Sequence, residues 1–467
     1  MKPDALESTS VSIVITAHNY AKWLPQSIDS ALAQVWPAVE IVVVDDGSTD
    51  STPQIIADYH SSTNLRTVRL DGVGLAGACN AGIAASTGEY VVRLDADDYF
   101  DENLVLVLAT YLDQHSDIDV VFSDHYTVDQ GGNFRSLVRR MRLDDELVLR
   151  DRPALGAGVM YRRSAYDRAG GYDDTLRYQE DYDFWLSLLE TSKIANINLP
   201  LMYYRQHGSS MSTNFGARME TRQTVKQTHV NRRVLKNEKG VGLILIDDLT
   251  LDGNNAALLP HMDTDLLHRC IETMRQSNSV NEVIVLGDGS VKRRVTDLGL
   301  KFVEAALHHT SIESFSKLYD TAYSVEVDAG FICTLSPRTP FISSAHIDEL
   351  VNSQRLYGTA AAIGVCRDMS QYWYPGKDGL VPTTISASDV AQESKMVFRA
   401  VPGFAMISLD SEFFQMGAIA DDLTIGHIEV SPGTSHTILD AESWAWVHYN
   451  MDRAIKKDAS IHHTASK

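Results

Sequence analysis

The N-terminal part of the chain alternates short continuous apolar runs with stretches that are apolar on one side only. VSIVIT (11–16) is apolar almost throughout, which predicts a strand buried on both faces of a parallel sheet. Residues 21–34 follow with Leu24, Ile28, Ala31 and Leu32 at helical spacing. EIVVVDDGSTDST (40–52) predicts a second buried strand ending at Asp45, Asp46 and Gly47. A helix then opens on Ser, Thr and Asp caps with Pro53 in its first turn. LRTVRL (65–70) reads as a third strand. GLAGACNAGIAAS (74–86) reads as a helix of small residues able to lie close on a sheet, and Tyr90–Leu94 as a fourth strand. The βαβαβαβ rhythm predicts a parallel sheet with helices on both faces and right-handed crossovers.

In such sheets ligands bind beyond the carboxyl ends of the strands. Three predicted ends carry polar clusters: Thr16 to Asn19, Asp45 with Asp46, and Asp95 to Asp98. If strand alternation continues, Asp95 and Asp97 project from one face roughly 7 Å apart. Two hard oxygen ligands so placed suit Mg²⁺ or Mn²⁺ held jointly with substrate phosphates. Taken alone, D-A-D-D reads better as a polar turn than as a ligand pair. Three convergent ends weigh against that plainer reading.

At 467 residues the chain predicts two or three domains. Hydrophobic residues at 44% and charged residues at 22% fit a globular protein. A formal net charge of −21 argues against nucleic-acid binding through a broad basic surface, so no nucleic-acid partner is expected. Cys79, Cys270, Cys333 and Cys366 are widely spaced without C-x-x-C and predict reduced core residues. No apolar run approaches the roughly 20 residues that span a bilayer, and MKPDALESTS has no signal-peptide character. The expectation is a cytoplasmic protein with at most peripheral contact at the inner face of a membrane.

The segments VSIVITAHNYAKWLPQSIDSALAQ, VEIVVVDDGSTDST, GLAGACNAGIAASTGEY and VVRLDADDYF, in this order, closely resemble the family 2 glycosyltransferases of GT-A fold. The likeness continues through YQEDYDFWLSLL (178–189) and LPLMYYRQHGSSMS (199–212), so it covers about residues 10–215. The resemblance implies a Rossmann-like α/β domain that binds a nucleotide-diphospho-sugar, most often a UDP-sugar. It implies that Asp46 reads the pyrimidine base, that Ala17 and His18 pack against it, and that Asp95 and Asp97 form the D-x-D. Asp97 would then hold Mn²⁺ or Mg²⁺, with His207 as a further metal or diphosphate contact. Asp181 matches the catalytic base. Glu180, Arg93 and Arg205 fall where acceptor or diphosphate contacts are expected. Where the family often carries Arg, this chain has Cys79, and Arg93 is a substitute or simply the partner of a neighbouring carboxylate. Ser209, Ser210 and Ser212 suit a polar loop closing over the donor, or an ordinary surface loop.

Residues 113–175 form the acceptor side in this reading. Arg135, Arg139, Arg140, Arg142, Arg150 and Arg152 suit an anionic acceptor, or a solvated face paired with Asp144, Asp145 and Glu146. Residues 1–237 are expected to form the glycosyltransferase domain. Residues 238–460 are expected to form a second α/β domain, and 461–467 a disordered tail. VGLILIDD (241–248) and NEVIVLGDGS (281–290) read as buried strands around an amphipathic helix at 266–277. Against the first domain, Asp288 takes the place of Asp46, while Pro337 and Thr339 take those of Asp95 and Asp97, so the carboxylates are lost. Segments within 263–351 distantly resemble sugar-nucleotide cytidylyltransferases of the spore-coat polysaccharide type. Arg338 stands near that family's metal-binding Asp, and IDDLTLDGNNAALLP lacks its basic loop. The second domain is therefore expected to be degenerate, serving acceptor binding, homo-oligomerisation or structure. QYWYPGKDG (371–379) offers an aromatic loop for a sugar face or for its own core. A terminal helix is expected with Asp440 as N-cap.

The function these readings imply is metal-dependent inverting transfer of a sugar to a hydroxyl of a glycan, lipid-linked or protein-linked acceptor, in polysaccharide or glycoconjugate synthesis. A non-catalytic sugar-nucleotide or glycan-binding scaffold is the reading from another class, and a bifunctional transferase/nucleotidyltransferase a third. A binding module has no need of Asp181.

Overall fold

The computed structural model describes residues 9–139, 156–208, 215–232, 238–251, 253–261, 263–307, 329–368, 373–376, 379–382, 397–409 and 425–451. The chain forms two compact units, Met1–Val225 with Ser370–Met396 and Lys226–Met369 with Val397–Lys467. The division falls earlier in the chain than the boundary expected at 237.

In the first unit β1 (Val11–Ala17), α1 (Leu24–Leu32), β2 (Val39–Asp46), α2 (Thr52–Asp58), β3 (Leu65–Leu70), α3 (Leu75–Ala85) and β4 (Tyr90–Asp95) follow the anticipated rhythm. They pair in the order β3-β2-β1-β4, all parallel. The continuous apolar runs are explained by two covered faces. Ile13, Ile15, Ile41, Val43, Val92 and Leu94 pack in one core cluster, and Val14, Val42, Val44 and Val91 in another on the alternate positions. Each such buried side chain contributes about 1.5–3 kcal/mol. The small-residue helix α3 lies on the second face with Ala76, Ala78, Cys79 and Ile83 buried. A Cβ at Gly82 would come 2.4 Å from Val14 Cγ1 and 2.8 Å from Val44 Cγ2, so this approach requires glycine.

The unit continues with β5 (Tyr99–Phe100), α4 (Leu104–Gln114), β6 (Val120–Val128), β7 (Phe134–Val138), β8 (Val159–Arg162), α5 (Arg163–Ala169), α6 (Glu180–Thr191), β9 (Ile194–Arg205) and the start of α7 (Phe215–Arg232), which passes into the second unit after Val225. Here the sheet departs from the all-parallel expectation. β8 lies antiparallel between β4 and β6, and β9 runs parallel to β6. The result is a mixed sheet in the order β3-β2-β1-β4-β8-β6-β9-β5, with β7 on β6. Periodicity marks a run as a strand, but its direction depends on where the chain re-enters the sheet.

The second unit contains β10 (Gly240–Ile246), α8 (Leu266–Arg275), β11 (Glu282–Gly287), α9 (Lys292–Asp297), β12 (Lys301–Glu304), β13 (Phe331–Leu335), α10 (Ser344–Tyr357), β14 (Ala361–Asp368), β15 (Val397–Ser408) and β16 (Ile425–Glu429). The sheet order is β12-β11-β10-β13-β15-β14-β16. Its first four strands are parallel, β15 is antiparallel to both neighbours, and β16 is parallel to β14. Strand for strand, this repeats the order and directions of β3-β2-β1-β4-β8-β6-β9. Asp265 caps α8 through His268 N–H at 2.7 Å, and Asp440 caps the helix over 441–451 through Ser443 N–H at 2.8 Å.

The ladders also adjust the correspondence between the units. Ser12 pairs with Glu40 and Val91, and Val241 with Glu282 and Ile332. With Asp288 kept in step with Asp46, that register carries Ser336 and Arg338 to the places of Asp95 and Asp97. They replace the expected Pro337 and Thr339 by one residue, and again bring no carboxylate.

Candidate active site

The ends of β1 and β2 are stitched together by their own polar residues. Asn19 adopts a left-handed backbone at φ 60°. Its side-chain oxygen accepts from Thr49 N–H at 2.8 Å and Asp50 N–H at 3.3 Å, and its N–H donates to Ser48 Oγ at 2.9 Å. Ala17 is buried at the end of β1, and exposed His18 places Nδ1 2.6 Å from the carbonyl oxygen of Asp46. Asp46 itself is buried, accepting from Val73 N–H at 2.7 Å and Gly74 N–H at 2.8 Å. Its carboxylate therefore already orders the turn leading into α3, and a ligand base would use its remaining lone pairs. Asp45 accepts from Ser48 N–H and pairs with Arg69 Nη1 at 2.5 Å.

Strand alternation does not extend through D-A-D-D as expected. β4 ends at Asp95, and Asp98 N–H closes a turn on the Asp95 carbonyl at 3.0 Å. The carboxylates still crowd one another. Burial and the charge of Asp95 push Asp97 above the usual carboxylate range, against a pull from His207. Burial, Asp97 and Asp95 together hold buried Asp98 well above it. His207 Nε2 lies 2.8 Å from Asp97 Oδ2, its side chain only 2% exposed.

Arg93 and Arg205 turn inward. Arg93 donates through Nε to Asp95 Oδ1 at 2.8 Å and through Nη2 to Oδ2 at 3.2 Å, and its Nη1 reaches Glu180 Oε1 at 3.5 Å. Arg93 is thus the partner of two neighbouring carboxylates, as one of its two expected readings has it. Arg205, expected at a diphosphate or acceptor, is buried as a strut because its donors meet backbone and amide oxygens. Nε donates to Asp97 O at 2.7 Å, Nη1 to Asp129 O and Gln130 O at 3.3 Å each, and Nη2 to Gln26 Oε1 at 2.6 Å. Its N–H donates to Asp98 Oδ1 at 2.8 Å.

Glu180 and Asp181 open helix α6, where a carboxylate is favoured by the free N–H groups and the helix dipole. The residue before them, Gln179, sits at φ 61°, a strained position for a non-glycine residue that re-aims the helix start. Asp181 is half-buried and Glu180 buried. Burial and the adjacent Asp181 push Glu180 up to about 7, with Arg93 opposing. Gly156 fits between these groups: a Cβ there would stand 3.0 Å from Arg93 Nη1 and 3.3 Å from Asp181 Cβ. The strand that ends at Asp95 and the helix that opens on Glu180 and Asp181 thus meet through Arg93.

Sequence reading passed over the aromatic residues between β1 and α1. Trp23 stacks on His207 with centroids 4.4 Å apart and planes at 30°, and Tyr20 meets the same ring edge-on at 6.0 Å. Only their proximity in the fold to a residue more than a hundred positions away reveals this, so no local signal could have. Cys79 is buried in α3, where burial pushes its thiol up to about 12. Among the described residues no three His, Cys, Asp or Glu side chains are arranged to hold a metal by themselves, and no helix is long and apolar enough to cross a membrane. Ser209, Ser210, Ser212, Arg140, Arg142, Arg150 and Arg152 lie outside the described residues, as does the 461–467 tail; of the 371–379 loop only a backbone hairpin, Trp373–Gly376 with Gly379–Pro382, is described. At the corresponding edge of the second unit, buried Arg338 pairs through Nη1 with Asp247 Oδ2 at 2.5 Å.

Comparison with known proteins bears on the first unit. Residues 12–170 match the family model described as glycosyl transferase family 2. An uncharacterized glycosyltransferase of Rickettsia typhi is 30% identical over 219 residues, covering 44% of this chain and 67% of its own length. The Escherichia coli UDP-Glc:alpha-D-GlcNAc-diphosphoundecaprenol beta-1,3-glucosyltransferase WfaP is 26% identical over 237 residues, covering 48% of this chain and 86% of that protein. Among solved structures, S. aureus TarS 1–349 with UDP-GlcNAc aligns at 22% identity and TM-score 0.42, covering 48% of this chain and 66% of that one. The chain spans about two thirds of the length of the uncharacterized relatives it matches.

Proposed function

The chain belongs to the family 2 glycosyltransferases, and from that premise we propose that its first unit transfers a sugar from a nucleotide-diphospho-sugar, with UDP as the nucleotide, to a hydroxyl of a glycan or glycoconjugate. The observation that carries the reading is Arg93, which touches both Asp95 of the D-x-D and Glu180 beside Asp181. It supports a donor site and a base side by side.

In this mechanism Asp181 accepts the proton of the acceptor hydroxyl as that oxygen attacks the anomeric carbon. The new C–O bond forms while the bond from that carbon to the diphosphate oxygen breaks, and the electron pair leaves with the nucleoside diphosphate. A single displacement inverts the anomeric configuration. One carboxylate suffices, unlike the acid–base pair of a glycosidase. Asp46, with Ala17 and His18, would hold the base ring.

A Mn²⁺ or Mg²⁺ ion suits Asp97 with His207, since the Asp95 oxygens already face Arg93 and no three side chains among the described residues close on a metal by themselves. A hard carboxylate and an imidazole are an acceptable partial donor set, and the raised Asp97 and Asp98 mark like-charge crowding that a cation relieves. Its other oxygen ligands would come from donor and water. When bound, such an ion neutralises charge on the diphosphate leaving group. The chain's own residues do the rest: Arg93 orients Asp95, and Arg205 fixes the turn that presents Asp97 and Asp98.

The second unit is read as a repeat of the same sheet that has lost this chemistry, with the Arg338–Asp247 pair where the first unit carries its carboxylates. Donor hydrolysis across UDP-, GDP-, TDP- and CMP-sugars, with and without Mn²⁺, tests the proposal. Turnover of none of them, together with unchanged nucleotide binding in Asp181→Asn, would favour the non-catalytic scaffold instead.

A further inference from the structure

We propose that Trp23 is a positioning residue for the same donor site: its indole sets the His207 imidazole against Asp97. The inference rests on the reading of Asp97 and His207 as donor-side ligands.

The indole is held by contacts of its own besides the one with His207. Trp23 stands at the entry to α1, where its backbone N–H donates to Tyr20 O at 3.1 Å. Its Nε1 donates to Gln130 O at 3.1 Å, and the same carbonyl accepts from Arg205 Nη1 at 3.3 Å. The turn after β6 therefore anchors both the indole and the strand end that carries His207. Lys22 Nζ lies 4.7 Å from the indole centroid.

His207 then fills the remaining space. Its ring stacks on the indole at 4.4 Å, meets Tyr20 edge-on at 6.0 Å with planes at 70°, and presents Nε2 to Asp97 Oδ2 at 2.8 Å. A histidine two residues beyond a strand end has rotamers to lose. A flat aromatic wall against its face and a carboxylate at Nε2 both restrict that ring, as outer partners ordinarily orient a ligating imidazole. Trp23 is half-buried rather than sealed in the core, so its ring works chiefly through these contacts.

The test uses the full chain and reads Mn²⁺ binding in the presence of UDP, by the electron paramagnetic resonance of free Mn²⁺, alongside donor hydrolysis. Trp23→Leu keeps apolar bulk and removes the ring. It is expected to weaken Mn²⁺ binding about tenfold and to lower kcat/KM by about 10–100-fold, as loss of an orienting partner does. Trp23→Phe, which can still stack, recovers most of both. Trp23→Leu combined with His207→Ala binds no more weakly than His207→Ala alone, since both changes act through one ring. Wild-type binding in Trp23→Leu, or losses that add in the double variant, overturns the inference while leaving the donor site standing. Failure of the wild-type chain to bind Mn²⁺ with any nucleotide overturns the donor-site reading and this inference with it.

Discussion

Arg93 and Asp95, two residues apart on one strand, form a forked ion pair in which both oxygens of the carboxylate are engaged, at 2.8 and 3.2 Å. The guanidinium is 4% exposed and extends on to Glu180. Removing Arg93 leaves the partly exposed Asp95 carboxylate without its fork, at a cost of about 1–3 kcal/mol. Arg93→Ala is expected to lower the unfolding midpoint in urea accordingly and to abolish donor hydrolysis. Arg93→Lys keeps the charge but loses the fork, and is expected to keep most stability while still losing activity. An active Arg93→Lys enzyme would show that the forked geometry does not matter.

Glu180 makes stability depend on pH. Burial and Asp181 raise its pKa from 4.5 to about 7. Between those values the folded chain binds a proton that the unfolded chain releases, so this contribution is complete below pH 4.5 and is lost as pH rises through about 7. Glu180→Gln cannot ionise. Its melting temperature relative to wild type is expected to rise from pH 5 to pH 8. Parallel curves for the two proteins would assign the proton elsewhere.

Arg205 is expected to act on the fold and the site together. Its guanidinium donates to three carbonyls and one side-chain amide beneath the D-x-D turn, and charged hydrogen bonds of this kind contribute about 1.5–3 kcal/mol each. Arg205→Ala should lower the melting temperature of the chain and weaken Mn²⁺ binding. Loss of donor affinity at unchanged stability would instead place Arg205 in contact with the diphosphate.

How much of this was legible in the sequence follows from which interactions are local. Strands β1, β2 and β4 announced themselves because both faces are covered, as the alternate clusters of Val14 and Ile15 show. The cap of Asp440 and the close packing of α3 were readable for the same local reason. The direction of β8 was not, because nothing in VMYR encodes which end of the sheet it enters. The inward turn of Arg205 depends on Gln26, Asp129 and Gln130, distant in sequence, and Trp23 acquires its partner only when β9 returns beside α1. The family motifs named Asp95, Asp97 and Asp181, but the struts between them are tertiary.

Gly156 offers a graded probe of the distance between donor site and base. A methyl group there would press on Arg93 Nη1 at 3.0 Å and on Asp181 Cβ at 3.3 Å, tighter than ordinary contacts. Either neighbour can yield by a few tenths of an ångström, so Gly156→Ala should destabilise by only about 1 kcal/mol. Catalysis is less tolerant, since a misplacement of about 1 Å in a reacting group can cost about a hundredfold. The displacement here is smaller, and the expected loss is about tenfold, in kcat rather than in the KM for donor, because the shift falls on the base side of Arg93. A variant in which KM rises while kcat holds would locate the effect at Asp95 and the donor, and would move Asp181 out of the reacting group.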